Sequence, residues 1–557
     1  MSASKELERR VIIIGGGVGG IMTAIALKTK LGFHNFTLYE QSDDLGGTWN
    51  LNTYPGCASD ISTHWYSFSG DVDPDWTSTH LLQPELKKYW KGLCVKYDIN
   101  KHVCVNTSVV AAEWDNKRQL YRVEVLDVLS GEKRTDYANA VVSAIGVLNI
   151  PHLSEDLKGV RETFKGKHFH SARWDHTVDL RNKRVAVIGN GCSAAQFVPI
   201  ITEDPTTEVL SFARTPGWIL PTDWGRKPVS WWKRMIFKYV PFTLRLNRWS
   251  LLAMHESFYM FLIYGKHNSF LREFFMNDLR KNIQKCAPEK YHDVLTPKYP
   301  FGCKRFIVDT GYLAALHRPN NDLTFDGIAE ITEKGILTKK GQHHDFDVII
   351  EATGFVVDEY PIVIRGVDGT SIQDYHREQG GPTAYRGTTT PNFPNFFMLF
   401  GPNTTTTHGS VIFTHEVQIN YTMQLLEPVL KKQASSFEVT REASDAWNAH
   451  VQKYHSTSVW TACQSWYRVG GTGKNVSIWP GSLTDQWYQL RTPVWSDYKA
   501  TGAYEWENNR RLRVVKEMAQ VGGLFAVLAV AYFHPQETLR LATQVKDQVR
   551  ILEYASK

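Results

Sequence analysis

The sequence predicts an α/β fold: two parallel-sheet units of the same kind and a helical insertion. Three observations carry this. First, Val11-Ile12-Ile13-Ile14 is a continuous β-branched run of the type buried on both faces of a parallel sheet. It breaks at Gly15-Gly16-Gly17-Val18-Gly19-Gly20 into an apolar helix from Ile21 onward. Second, the pattern returns once, where Val185-Ala186-Val187-Ile188 breaks into Gly189-Asn190-Gly191-Cys192-Ser193-Ala194. Third, the next strand of each unit is followed by a charged residue of opposite sign, Glu40 after Phe36 to Tyr39 and Arg214 after Val209 to Ala213. Strand, glycine turn, helix, strand and charged residue in that order form a Rossmann-like dinucleotide-binding unit.

Composition narrows the class. At roughly 100–200 residues per domain, 557 residues imply several units. A hydrophobic content of 42% with 22% charged residues is that of an ordinary globular chain. The net charge of +6 is too small for this length to imply a nucleic-acid partner, and supports only a modest preference for anionic ligands. The seven cysteines are scattered, odd in number and contain no C-x-x-C. That argues against a disulfide scaffold or a zinc ribbon and fits a reducing compartment. The first ten residues carry no apolar signal core, so a cytoplasmic location is expected. There is no His-Glu-x-x-His, no plausible metal cluster and no G-x-S-x-G elbow. No cysteine pair near the first helix suggests a disulfide reductase.

Taken in order, residues 1–150 read as the first part of one nucleotide unit. Gly15, Gly17 and Gly20 fill G-x-G-x-x-G, and an acid about 20 positions later, here Glu40, binds the ribose hydroxyls of an adenosine. Residues 100–150 read as a β-meander returning through Val141 to Gly146. Residues 151–225 form the first part of the second unit. There the pyrophosphate sits on the N–H groups of Gly189, Asn190, Gly191, Cys192, Ser193 and Ala194. Arg214 suits a 2′-phosphate, hence NADP rather than NAD. Glu40 suits FAD, so the pair of units fits a flavoprotein taking hydride from NADPH.

Residues 226–300 are expected as a helical insertion near a substrate cleft. From 226 to 250 it carries seven Lys and Arg, no acid, and interleaved aromatics. Read alone, this stretch suits a membrane surface or nucleic acid. Inside a two-nucleotide enzyme it suits a cover for an apolar substrate, and peripheral membrane contact is compatible with that. Residues 301–345 are read as the rest of the second unit and 346–495 as the rest of the first. Within the latter, Phe396 to Asn403 repeats the pattern of a strand and turn beside a cofactor, placing Asn403 near FAD. Residues 496–557 form a C-terminal extension. Its uncharged run Val521 to Phe533 is shorter than the ~18–20 residues a bilayer requires, and is expected as a buried or dimer-contact helix. Oligomeric state is left open.

One further motif joins the units. Phe164, Gly166, His170 and Trp174 fall on F-x-G-x-x-x-H-x-x-x-W. With Gly46-Gly47-Thr48-Trp49, Tyr54-Pro55-Gly56, Asp60, Lys304-Arg305 and Glu351-Ala352-Thr353-Gly354, this resembles the Baeyer–Villiger monooxygenases of the class B flavin-dependent monooxygenases. The likeness runs from about Val11 to about Trp487 and is similar to the fungal branch acting on steroids and polyketides. Cys57-Ala58-Ser59 departs from the triplet common in that family. The resemblance implies FAD, NADPH and O2 as partners, and oxygen insertion into a bulky apolar ketone through a C4a-peroxyflavin to give an ester or lactone. It implies Arg305 as the catalytic arginine and Asp60 as the acid orienting it. Lys304, Arg214 and Thr215 would hold the 2′-phosphate, Thr48, Trp49 and Tyr66 would line FAD, and Val110 would contact its adenine end. His170 and Trp174 would set how NADPH reaches the flavin rather than move protons. The rival readings are oxygen transfer to nitrogen or sulfur, an oxidase releasing peroxide, and a non-catalytic nucleotide-binding scaffold.

Overall fold

The computed structural model describes residues 8–153, 157, 159–263, 269–533 and 535–536. Both β-branched runs form central strands of five-stranded, wholly parallel sheets. The first sheet is ordered Phe396–Met398, Ala140–Ser143, Val11–Ile14, Phe36–Tyr39, Val103–Cys104. The second is ordered Asn321–Thr324, Glu208–Phe212, Arg184–Ile188, Val348–Glu351, Lys167–His170. Val11, Ile12 and Ile13 are wholly buried, as a strand covered on both faces requires. Ile14 pairs with both Tyr39 and Ser143, so the carboxyl ends of the strands are aligned and their loops converge at one edge.

Strand Val348–Glu351 corrects the boundary expected at 345/346. It lies inside the second sheet, and the chain returns toward the first unit only after it. A fully buried Val-Ile-Ile run looks the same in either parallel sheet, so its composition does not choose between them. The meander is present as antiparallel strands Thr107–Asp115, Leu120–Asp127 and Lys133–Ala138, with Val363–Arg365 added on the outer edge.

One hydrophobic cluster contains both Val11 of the first sheet and Val185 of the second, so the two units share a core. The insertion is helical, with Trp231–Tyr239, Thr243–Phe258 and Ser269–Cys286 as its principal helices. It is pinned by Arg248, whose Nη1 donates to the carbonyls of His64 at 2.6 Å and Ser67 at 3.0 Å. The uncharged run lies on the C-terminal helix Tyr504–Phe533, where Phe525, Leu528, Tyr532 and Phe533 are exposed, as a contact helix between copies would leave them. The apolar run continues a helix that begins with charged residues. No helix among the described residues is long and apolar enough to cross a membrane.

Candidate active site between the two glycine turns

Each glycine turn is dictated by close packing. Gly15 has φ +102°, and a Cβ on Gly20 would lie 1.9 Å from the Gly15 carbonyl oxygen. Gly189 has φ +113°, and a Cβ there would strike the Ala352 carbonyl oxygen at 2.4 Å. The helices that follow, Val18–Leu31 and Cys192–Ile201, have no side-chain cap and no acid in the first turn. Their leading N–H groups are therefore available to an anion, with the helix dipole favouring it.

Beyond the turns, the two units differ. Glu40 is buried, and one carboxylate oxygen accepts from Gly16 N–H at 2.6 Å. The other accepts from the N–H and hydroxyl of Ser42 at 2.8 and 2.7 Å. Gly47 packs on Gly17 so closely that a Cβ on Gly47 would sit 2.7 Å from the Gly17 Cα. This brings Thr48 and Trp49 to the first turn. Trp49 is buried edge-on against Tyr66, with ring centroids 5.6 Å apart. Val110 lies at the register irregularity between Val109 and Ala111, on the strand that starts beside Glu40. Asn403 is buried at φ +56° with its amide donating to the carbonyls of Asn475 and Ile478, so its side chain braces that loop.

In the second unit, a Cβ on Gly191 would meet nothing within 4 Å, leaving open space before the helix. Asn190 Nδ2 donates to the Thr215 carbonyl at 3.1 Å, and Lys304 Nζ donates to the Thr215 hydroxyl at 2.9 Å. Burial lowers the Lys304 pKa and the charge of Arg214 lowers it further, which places two cations side by side. Neither makes an ion pair among the described residues. The donor set fits a 2′-phosphate, as the first turn with its buried acid fits an adenosine without one.

Arg305 and Asp60 meet between the turns. Arg305 Nη2 donates to Asp60 Oδ2, and the two side chains remain 25% and 27% exposed. Burial works against ionisation of Asp60, but the adjacent guanidinium outweighs it and holds the carboxyl below its ordinary range. Burial likewise disfavours the Arg305 cation, and Asp60 more than restores it. Other residues surround the pair; Cys192 was expected only at the NADP pyrophosphate, and sequence reading missed His255 and Tyr467. Cys192, at the head of the second helix, is pushed up to about 11 by burial and by Asp60. His255, from the insertion, is lowered to about 4 by burial, with Arg305 adding to the shift. Burial also raises the Tyr467 phenol. Gln196 ties the units together: Tyr54 hydroxyl donates to its Oε1 at 2.9 Å, and its Nε2 donates to the Ala58 carbonyl at 3.1 Å. Gln196, His255 and Tyr467 are isolated residues far apart in the chain, and no local pattern marks them.

The cysteine expectation is also corrected. Cys303 and Cys463 form a disulfide, with Cα atoms 6.1 Å apart, that ties the Arg305 segment to the Tyr467 segment. A bridge across 160 residues leaves no spacing signature in the sequence. Five other cysteines are free.

The F-x-G-x-x-x-H-x-x-x-W residues pack rather than face the pair. A Cβ on Gly166 would strike the Phe164 ring at 2.4 Å and the Asp347 carbonyl at 2.6 Å, so Gly166 lets Phe164 fold over the sheet edge. His170 is buried beside Phe355, its Nδ1 accepting from Ala172 N–H at 3.1 Å. Trp174 lies edge-on to Phe169 and to Phe197 of the second helix, at 5.1 and 5.2 Å.

The profile of flavin-binding monooxygenase-like proteins (FMO-like) matches residues 8–247. A Baeyer–Villiger monooxygenase of Pseudomonas aeruginosa is 37% identical over 85% of this chain and 88% of its own. FAD-binding monooxygenase ktnD of Aspergillus niger is 33% identical over 94% of this chain and 87% of its own. Among solved structures, OTEMO in complex with FAD and NADP superposes with a TM-score of 0.77 at 26% identity, covering 88% of this chain and 99% of that one. Cyclohexanone monooxygenase from Rhodococcus sp. Phi1 bound to NADP+ also gives 0.77, at 25% identity over 89% and 100%. With relatives this similar over most of its length, the chain belongs to the flavin-binding monooxygenase-like family, among its Baeyer–Villiger monooxygenases.

Proposed function

We propose that this NADPH-dependent flavoprotein monooxygenase inserts one oxygen atom of O2 into a bulky apolar ketone, giving an ester or lactone. The observation that carries this reading is the Arg305–Asp60 pair, partly open between the two glycine turns. FAD, when bound and reduced, would supply the oxygen activation.

The chain's own residues divide the remaining work. The first unit, with Gly15, Gly17, Gly20, Glu40, Thr48, Trp49, Tyr66, Val110 and the turn at Asn403, holds FAD. The second, from 151–225 and 301–351, holds NADPH on Gly189 to Ala194 with Arg214, Thr215 and Lys304 at the 2′-phosphate. Arg305 supplies a fixed positive charge for the oxyanion that develops on the substrate carbonyl. A guanidinium suits this because it stays charged even when partly buried, whereas a lysine in its place could lose its proton. Asp60 keeps that charge in place and aims it. His255, with its pKa near 4, is neutral at working pH and adds no competing charge. Phe164, Gly166, His170 and Trp174 set the join between the units, and so the approach of NADPH.

The test is to follow NADPH consumption by the yellow holoprotein under 18O2 with cyclic and steroidal ketones, amines and sulfides. One labelled oxygen in an ester or lactone is the expected result. Label only in amine or sulfide products, or peroxide alone, would replace the reading.

A further inference from the structure

The helical insertion presents an apolar face that no described part of the chain covers. On Trp231–Tyr239, the exposed residues Trp231, Trp232, Ile236 and Tyr239 fall within roughly 140° of one another at roughly 100° per residue. Phe242, at the corner before the next helix, is 71% exposed and held at φ +67°, a conformation bulky residues rarely adopt. Leu246 and Trp249 continue the stripe at four and seven residues beyond Phe242. Scattered exposed apolar residues are ordinary, but a continuous aromatic stripe of this kind is not.

The charge around the stripe indicates its partner. Residues 226–250 hold seven Lys and Arg and no Asp or Glu. Arg226, Lys227 and Lys238 pair with Glu85, Asp223 and Asp75, and Arg248 is used inside as an anchor. Lys233, Arg234 and Arg245 make no ion pair among the described residues. Aromatics at the centre, flanked by unpaired cations, match the interface of an anionic bilayer, where the rings enter the headgroup level and the cations meet the lipid charge.

Beneath this face lies a cavity of about 620 Å³, lined by Phe242, Arg245, Trp249, Leu252, Trp65 and Phe413 among others. Trp65 stacks with Phe413 at 5.7 Å and with His255 at 6.2 Å. His255 is close enough to Arg305 for its titration to be affected by that charge. His255 thus stands between Trp65, in the cavity wall, and the surroundings of Arg305.

We propose that the Trp231–Trp249 face docks on an anionic lipid surface and that the cavity beneath takes apolar substrate from it. Docking goes beyond the oxygenation reading; delivery of substrate rests on it. The test uses the full-length holoprotein and vesicles of phosphatidylcholine with roughly one-third phosphatidylglycerol, compared with pure phosphatidylcholine. Cosedimentation should favour the anionic vesicles by roughly tenfold or more and weaken with added salt. Trp232→Glu/Ile236→Glu and Lys233→Glu/Arg234→Glu should each remove that binding while keeping flavin absorbance and turnover of a small water-soluble ketone. Turnover of a long-chain ketone dissolved in the vesicles should fall in both. Phe525→Glu/Leu528→Glu, on the C-terminal helix, should change nothing. Equal binding to neutral vesicles, or loss only in the C-terminal variant, overturns the proposal. So does a dimer, seen in sedimentation velocity, that Trp232→Glu/Ile236→Glu converts to monomer. Sedimentation reads docking even if no ketone is oxygenated, so this proposal and the oxygenation reading can fail separately.

Discussion

In the first nucleotide unit the second-strand charge, Glu40, is buried with both carboxylate oxygens engaged. In the second unit the matching charges, Arg214 and Lys304, lie together at an open surface, and the glycine beside them faces empty space. Both turns are close-packed at their first glycine, but the surround is a closed cradle over Glu40 in the first and an open dock at Gly191 in the second. This suits a flavin that stays bound through many cycles and a nicotinamide cofactor that must enter and leave. Arg305 and Asp60 sit where the two meet, reached by Cys192 from the open side and by Tyr66 from the closed side.

The largest effect should come from adding one methyl group at the tightest glycine of the first unit, Gly20, and at the open glycine of the second, Gly191, which hold different positions in their turns. Gly20→Ala puts a Cβ against the Gly15 carbonyl, and the backbone cannot yield cheaply. The expected outcome is loss of soluble flavoprotein, at a cost of about 3 kcal/mol or more. Gly191→Ala should leave the melting temperature within a few degrees of wild type while raising KM for NADPH. Equal damage from both substitutions, read by thermal unfolding and flavin content, would erase the contrast.

Next comes charge at the open dock. Arg214→Ala and Lys304→Ala should each raise KM for NADPH by roughly tenfold or more, the loss of a charge-assisted phosphate contact. KM for NADH should hardly move, so steady-state kinetics with both cofactors reads preference directly. At the closed cradle, Glu40→Gln should instead weaken FAD retention by roughly tenfold. Fluorescence of released flavin on dilution measures it, and KM for NADPH should be unaltered.

Acid should not discriminate between the units. His415, packed on Gly19 in the first, and His170, at a strand end in the second, are both lowered to about 4, mainly by burial. The unfolded chain therefore binds more protons than the folded one between about 6.5 and about 4. The stability this contributes is present above about 6.5 and is lost as the pH falls toward 4. Melting temperature followed across that window should decline for the whole molecule together. A profile flat down to pH 4 would contradict the burial of these imidazoles.

Much of this was legible in sequence because the signals were local. Val11 to Ile14 with its glycines, and Val185 to Ile188 with its own, announce strand, turn and helix within a dozen residues, and both became central strands. What was not legible lies in long-range pairing. Val348 to Glu351 reads as a buried parallel strand, but nothing in a Val-Ile-Ile run says which sheet takes it. Cys303 and Cys463 pair across a span that leaves no motif. Gln196, His255 and Tyr467 acquire their neighbours only when separate loops meet. Phe164 to Trp174 shows the reverse. It was conspicuous as a pattern, and its residues pack around the edge of the second sheet and its helix, with Gly166 making room for a ring.

Arg305 is proposed to serve oxygen transfer to the substrate and neither nucleotide site. Arg305→Ala, mixed rapidly with NADPH and then with oxygenated buffer and ketone, tests it most directly. Flavin reduction should proceed within a few-fold of wild type, while ester formation falls by roughly 100-fold or more and the reducing equivalents appear as peroxide. Ester formed at the wild-type rate, or a flavin that no longer accepts hydride, would contradict the account.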